Sequence, residues 1–244
     1  MFRYTGLRLQ WSKLTQFTGD SYLQSMMGHG LRASSQLELV DKLIARGFLS
    51  NVPPVVETAF RETDRASFLP HGVPDVYCNM PQKIGRNHFM STPQLHAQVV
   101  SLLTSRLGPN RVVAEIGAGT GYLPGVFARC GCLKVFAVEK DQELLENCRK
   151  NLDTFPNVLV SESVPLNVSL DALYVAPCCE GYDELLKLLE SMKWSDDAVV
   201  VAPVIDEASF IGPIKDQQML LLQRKKDSWE KTQLFRTLCE PLAS

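Results

Sequence analysis

The sequence predicts an α/β protein: a doubly wound, mainly parallel sheet with helices on both faces, helices ahead of its first strand and an antiparallel strand pair at its C-terminal end. Three observations lead there. From residue 111 onward, short β-branched runs alternate with helical patterns, as in repeated βαβ units. The first run ends in Gly117, Gly119 and Gly121, so a buried strand must turn sharply at its tip. The chain has 244 residues, 45% apolar and 21% charged, enough for one large core, so one domain is expected.

The elements follow in order. Residues 1–33 stand apart as an extension. From Ser34 a helix is predicted with Leu37, Val40, Leu43 and Ile44 on one stripe, closed by Gly47. Pro53-Pro54 restarts a helix through Val55, Val56, Ala59 and Phe60. A long polar loop with Pro and Gly runs from Asp64 to Ser91, and loops of that length in compact domains are usually functional. Thr92-Pro93 supplies an N-cap and first-turn proline for a helix to about residue 106. The alternation then reads strand 111–116, helix 121–130, strand 134–139, helix 141–152, strands 157–160 and 170–175, helix 182–192 and strand 197–202. Extended runs at 218–223 and 233–239 form the antiparallel pair. The main domain, 34–244, thus divides into covering helices and a loop over 34–110 and a ligand-binding sheet over 111–244.

Composition excludes several classes. No apolar run approaches the ~18 residues that cross a bilayer. The net charge is −2, and residues 1–33 hold Arg3, Arg8, Lys13 and Arg32 against Asp20, a net +3 that leaves −5 for the remainder. An acidic body disfavours a nucleic-acid partner, because phosphate contacts supply most nonspecific affinity. The seven cysteines show no C-x-x-C pair or zinc-finger spacing, so free buried thiols in a reducing compartment are expected, and no metal site. The first 33 residues, basic and interleaved with Phe2, Leu7, Leu9 and Trp11, are similar to a mitochondrial targeting segment, or are an ordinary extension; the location implied is mitochondrial or cytoplasmic.

The glycine spacing selects the ligand class. Dinucleotide sites want G-x-G-x-x-G, and here Tyr122 stands where the third glycine belongs. Glu115-x-Gly117-x-Gly119-x-Gly121, with the acidic Glu139 closing the next strand and Lys140 beside it, resembles motif I and the ribose-binding acid of class I S-adenosylmethionine-dependent methyltransferases, with their Rossmann-like sheet. The resemblance implies S-adenosyl-L-methionine as cofactor, its ribose hydroxyls on Glu139 and its amino-acid end against exposed amides around Gly117 to Gly121.

Upstream blocks narrow the resemblance. Asp64-Arg65-x-x-Phe68-x-Pro70, Pro81-x-x-Ile84-Gly85 and Met90-Ser91-x-Pro93-x-x-His96-Ala97 are similar in order and spacing to the protein-L-isoaspartate O-methyltransferase family, as are Glu139-x-x-x-Glu143-Leu144 and Leu170-Asp171-Ala172. The resemblance covers roughly residues 34–244. It implies methylation of the carboxylate of isoaspartyl residues in damaged protein, with Ser91 orienting that carboxylate and the loop 81–96 covering the cleft. An ionised carboxylate needs no general base, so positioning is the main task.

The chain also departs from the family. Phe89 replaces a threonine before the serine, and Ser161-Glu162-Ser163 stands where Gly-Asp-Gly is common, with Glu162 keeping the acid expected near the adenine. His88-x-x-Ser91-x-Pro93 is similar to the family's divergent, non-repair branch. The alternative function is therefore a catalytically degenerate methyltransferase-fold subunit with a structural or assembly role in a larger assembly, such as a mitochondrial complex. Ala176-Pro177-Cys178 resembles the nucleophile loop of RNA cytosine methyltransferases, but Val175 replaces its aspartate.

Overall fold

The structure is a computed structural model that describes residues 31–49, 51–211, 214–237, 239 and 242. Most of the N-terminal extension, residues 1–30, lies outside the described residues, and with it the targeting expectation.

Helix α1, Gln36–Ala45, starts on Ser35, whose side chain accepts from the Glu38 amide, and closes at Gly47. Its inward face differs from the expected stripe. Leu37 is 56% exposed, while Gln36 is buried because its amide satisfies two main-chain groups: Nε2 donates to the Phe60 carbonyl at 2.7 Å, and Oε1 accepts from the Arg65 amide at 3.2 Å. Helix α2, Pro54–Glu62, buries Val56, Ala59 and Phe60 and leaves Val55 exposed.

The long loop is more ordered than its composition suggests. A 3-10 turn, Arg65–Phe68, is followed by two short strands, β1 (Gln82–Lys83) and β2 (Phe89–Met90), paired antiparallel as a hairpin. Helix α3, Pro93–Leu103, has Thr92 as its cap, accepting from the Leu95 amide at 3.2 Å.

The main sheet has seven strands among the described residues, in the order β5-β4-β3-β6-β7-β8-β9. Strands β3 (Val112–Ile116), β4 (Lys134–Val138), β5 (Val158–Ser161), β6 (Ser169–Val175) and β7 (Lys193–Ile211) run parallel. Strands β8 (Ile214–Lys225) and β9 (Ser228–Thr237) continue antiparallel, confirming the doubly wound sheet with its C-terminal strand pair. Strand β7 extends well beyond the expected 197–202, since its second half pairs along β8.

Helices α4 (Tyr122–Arg129), α5 (Gln142–Asn151) and α6 (Tyr182–Glu190) occupy the connections. One sheet face packs Val113, Val135, Ala172 and Val199 with residues of α1 to α4; the other packs Ala114, Phe136 and Leu173 with Leu185 and Leu189 of α6. Asp171 locks the central strands together. Its carboxylate accepts from the Val112 amide and from Arg111, each at 2.8 Å, which ties the start of β3 to β6. The site therefore rests at the opposite, carboxyl ends of rigid strands, where open α/β sheets bind ligands.

Candidate cofactor and acceptor site

A cavity of about 140 Å³ opens over the carboxyl ends of β3 and β6. Its floor is Glu115, Gly117 to Thr120 and Tyr174; Glu139 and Leu144 form one side; Ile84, Phe89, Met90 and Ser91 of the hairpin region roof it, with His96 and Tyr122 behind.

The glycine turn is shaped by close approach. Gly117 has φ +77°, and a Cβ there would lie 2.6 Å from the Pro177 ring; at Gly119 a Cβ would meet Ile84 at 2.9 Å. Gly121 serves packing instead, because a Cβ would strike Leu152 of the α5 end at 2.6 Å. It begins α4 and does not line the cavity.

The expected free amides are a correction. Gly117 and Ala118 both donate to the Val138 carbonyl, at 2.8 and 3.0 Å, and Gly121 donates to Ala118 at 2.9 Å. Gly119 donates to Glu139 Oε2 at 2.8 Å. The turn consumes these donors to close itself against β4, so they make no cradle for a phosphate or carboxylate. What faces the cavity is acidic. Glu139 is buried and takes three amides in all, the others being Lys140 at 2.8 Å and Asp141 at 3.0 Å through Oε1. Glu115 is buried as well, and its Oε2 has no partner. Burial and the nearby Glu139 push its carboxyl well above the usual carboxylate range. Two acids, no lining lysine or arginine and occupied amides suit a cationic ligand, not a pyrophosphate.

Of the expected site residues, Ser91, Glu115, Gly117, Gly119, Tyr122 and Glu139 are thus brought together. Three are not. Besides Gly121, Lys140 is exposed and outside the cavity wall, although its amide donates to Glu139, and Glu162 is exposed, accepting from Gln142 Nε2 at 3.1 Å outside the cavity wall. Thr92 capping α3 leaves the Ser91 hydroxyl available at the wall. His96 is buried against Tyr122, ring centroids 5.1 Å apart, and burial followed by the Arg65 charge lowers its pKa well below the ordinary imidazole value.

Sequence reasoning missed Tyr174. It pairs in register with Glu115, is buried, lines the cavity, and its hydroxyl has no partner. An apolar strand buried on both faces carries no alternation to flag it; only the register opposite Glu115 could have done so. Cys178 is 1% exposed, and its Sγ lies 3.5 Å from the Cys179 carbonyl, a packing thiol as expected. All seven cysteines are free and buried. Among the described residues, no His, Cys, Asp and Glu group could hold a metal, and no helix is long and apolar enough to cross a membrane.

The profile of the Protein-L-isoaspartate(D-aspartate) O-methyltransferase family matches residues 34–171, more than half of the chain. The chain belongs to this family. Protein-L-isoaspartate O-methyltransferase 2 of Arabidopsis thaliana is 32% identical over 145 residues, 57% of this chain and 45% of that protein. The protein-L-isoaspartate O-methyltransferase of Halorhodospira halophila is 29% identical over 201 residues, 79% of this chain and 84% of its own length. The chain spans about half the length of several curated relatives it matches. A Plasmodium falciparum protein-L-isoaspartate O-methyltransferase structure, in complex with S-adenosyl-L-homocysteine, superposes with a TM-score of 0.69 at 18% identity, covering 86% of this chain and 99% of that one. That likeness establishes the methyltransferase fold of this family member.

Proposed function

We propose that this protein-L-isoaspartate O-methyltransferase family member uses S-adenosyl-L-methionine to methylate the free carboxylate of isoaspartyl residues in proteins. The observation that carries this reading is the pair of buried acids, Glu115 and Glu139, around a glycine turn whose amides are spent. Such a lining suits a ligand with cationic centres and a sugar diol. Glu139 would hold the ribose hydroxyls, exchanging with the Gly119 amide for its oxygens, and Glu115 with Gly117 would face the ammonium end. When bound, the cofactor supplies an electrophilic methyl group on sulfur.

The chain's own residues would do the positioning. The acceptor carboxylate is ionised at neutral pH, so no side chain need remove a proton. Ser91 can donate its hydroxyl to one carboxylate oxygen and leave the other free to attack. Phe89, Met90 and Ile84 exclude water, which strengthens every charge interaction inside. Burial keeps the Tyr174 hydroxyl protonated, its pKa raised well above the ordinary phenol value, and therefore able to donate. The Ile84 Cδ1 stands over Gly119, 2.9 Å from where a Cβ would lie, and this side chain covers the turn. That close cover, together with Phe89, is what favours the second reading, a subunit that keeps the fold without turnover.

Incubation with isotopically labelled S-adenosylmethionine and paired peptides separates the two. The expected result is base-labile methyl ester on the isoaspartyl peptide and none on its α-aspartyl isomer. Cofactor binding without transfer to either peptide would support the noncatalytic subunit instead.

A further inference from the structure

Arg65 is entirely buried, yet among the described residues no carboxylate pairs with it. Its Nη2 donates to the Ser91 carbonyl at 2.8 Å, its Nη1 lies 3.4 Å from His96 Nδ1, and its guanidinium carbon is 5.8 Å from the centre of the Tyr122 ring. Its Nε has no partner. The nearest acid in sequence, Asp64, is committed elsewhere, accepting from the Ala66 amide at 2.9 Å and from the Tyr77 hydroxyl at 2.9 and 3.2 Å. Burial brings the guanidinium down to about 10, which leaves it charged at neutral pH.

An uncompensated buried cation is costly, and packing alone gives no reason to keep one. Its placement suggests a reason. Ser91, His96 and Tyr122, the groups it touches, all line the cavity, whereas no lysine or arginine does. Glu139 lines the same cavity and would repel a carboxylate acceptor. Arg65 puts the opposing charge one residue behind the wall, where desolvation keeps it effective.

We propose that Arg65 is the positioning residue for the acceptor: it fixes Ser91 through the main-chain carbonyl, and its unpaired charge makes that side of the cavity prefer a carboxylate to a neutral group. This rests on the methyl-transfer reading and adds the residue that recognises the acceptor's charge.

The test measures binding of two peptides in the presence of S-adenosylhomocysteine: an isoaspartyl peptide with its free α-carboxylate, and the same peptide with that group as the amide. Wild type is expected to prefer the carboxylate by roughly ten-fold. Arg65→Gln, still able to donate to Ser91, should lose the preference while holding S-adenosylhomocysteine within about two-fold of wild type, which a merely structural role would not produce. Arg65→Lys should keep the preference but transfer methyl groups roughly ten-fold more slowly, having lost the fork that sets Ser91. An Arg65→Gln protein that keeps the preference, or an Arg65→Lys protein with the wild-type rate, overturns the proposal. A wild type that binds the cofactor product but neither peptide overturns the acceptor reading itself, and this proposal with it.

Discussion

Replacing Gly117 with alanine is expected to destabilise the protein by about 3 kcal/mol, the sum of left-handed backbone strain of ~1–2 kcal/mol and overpacking of ~1–3 kcal/mol. The residue sits at φ +77°, and the new methyl would stand 2.6 and 2.7 Å from Cδ and Cγ of Pro177, a ring that cannot rotate away. Relief would require parting the β3 and β6 tips, which would also disturb the Gly117 and Ala118 bonds to Val138. Gly131 makes the control. It has a similar φ of +79° but nothing within 4 Å of an added methyl, so alanine there should cost only ~1 kcal/mol. Urea unfolding of both variants checks the difference; equal midpoints would mean that the tip of the sheet yields more easily than the contact implies.

Glu115→Gln should have the opposite effect on stability and a harmful one on binding. Burial first, and the Glu139 charge second, hold the Glu115 carboxyl well above its ordinary 4.5. The folded chain therefore keeps a proton that the unfolded chain releases. The stability this site contributes is complete below about pH 4.5 and is lost as pH rises through the folded-state value. Glutamine cannot ionise, so the variant should lose that slope and, near neutral pH, exceed wild type, which there must take up a proton in order to fold. It should also bind a cationic ligand more weakly, because the amide, unlike the carboxyl, cannot give up a proton and become the counter-charge when the cation arrives. Thermal unfolding across the pH range above 4.5 reads the first effect. A variant that keeps the wild-type slope would move the proton to another group.

Much of this architecture was legible because parallel strands buried on both faces read as continuous β-branched runs between helical patterns. Helix starts were legible where a capping side chain marks them: Thr92 begins α3, and Asp141, accepting from the Leu144 amide, begins α5. The hairpin was not, since strands of two residues have no period to detect. Gln36 shows a different limit. A polar residue turns inward and Leu37 outward because the glutamine amide satisfies the Phe60 carbonyl and the Arg65 amide, partners distant in sequence.

At the site, the glycine motif and the family resemblance named Glu115, Gly117, Gly119, Tyr122, Glu139 and Ser91, and all six line one cavity. The use of each group was harder to read. Amides expected to face a ligand are spent on Val138 and Glu139, because a turn this tight must satisfy its own donors. Glu162 has the right charge in the right segment but lies on the surface against Gln142. Tyr174 and Arg65 contribute through register and burial, which only the assembled sheet and loop reveal.

Calorimetric titration of S-adenosylmethionine into the wild type and into Glu139→Ala tests the account most directly. Saturable binding is expected for the wild type. The substitution should weaken it by about 2–4 kcal/mol for one or two lost charge-assisted hydrogen bonds, roughly 30- to 1,000-fold, provided thermal unfolding shows the variant folded. Equal affinity in the two proteins, or no binding to the wild type, would contradict the assignment of this cavity to the cofactor.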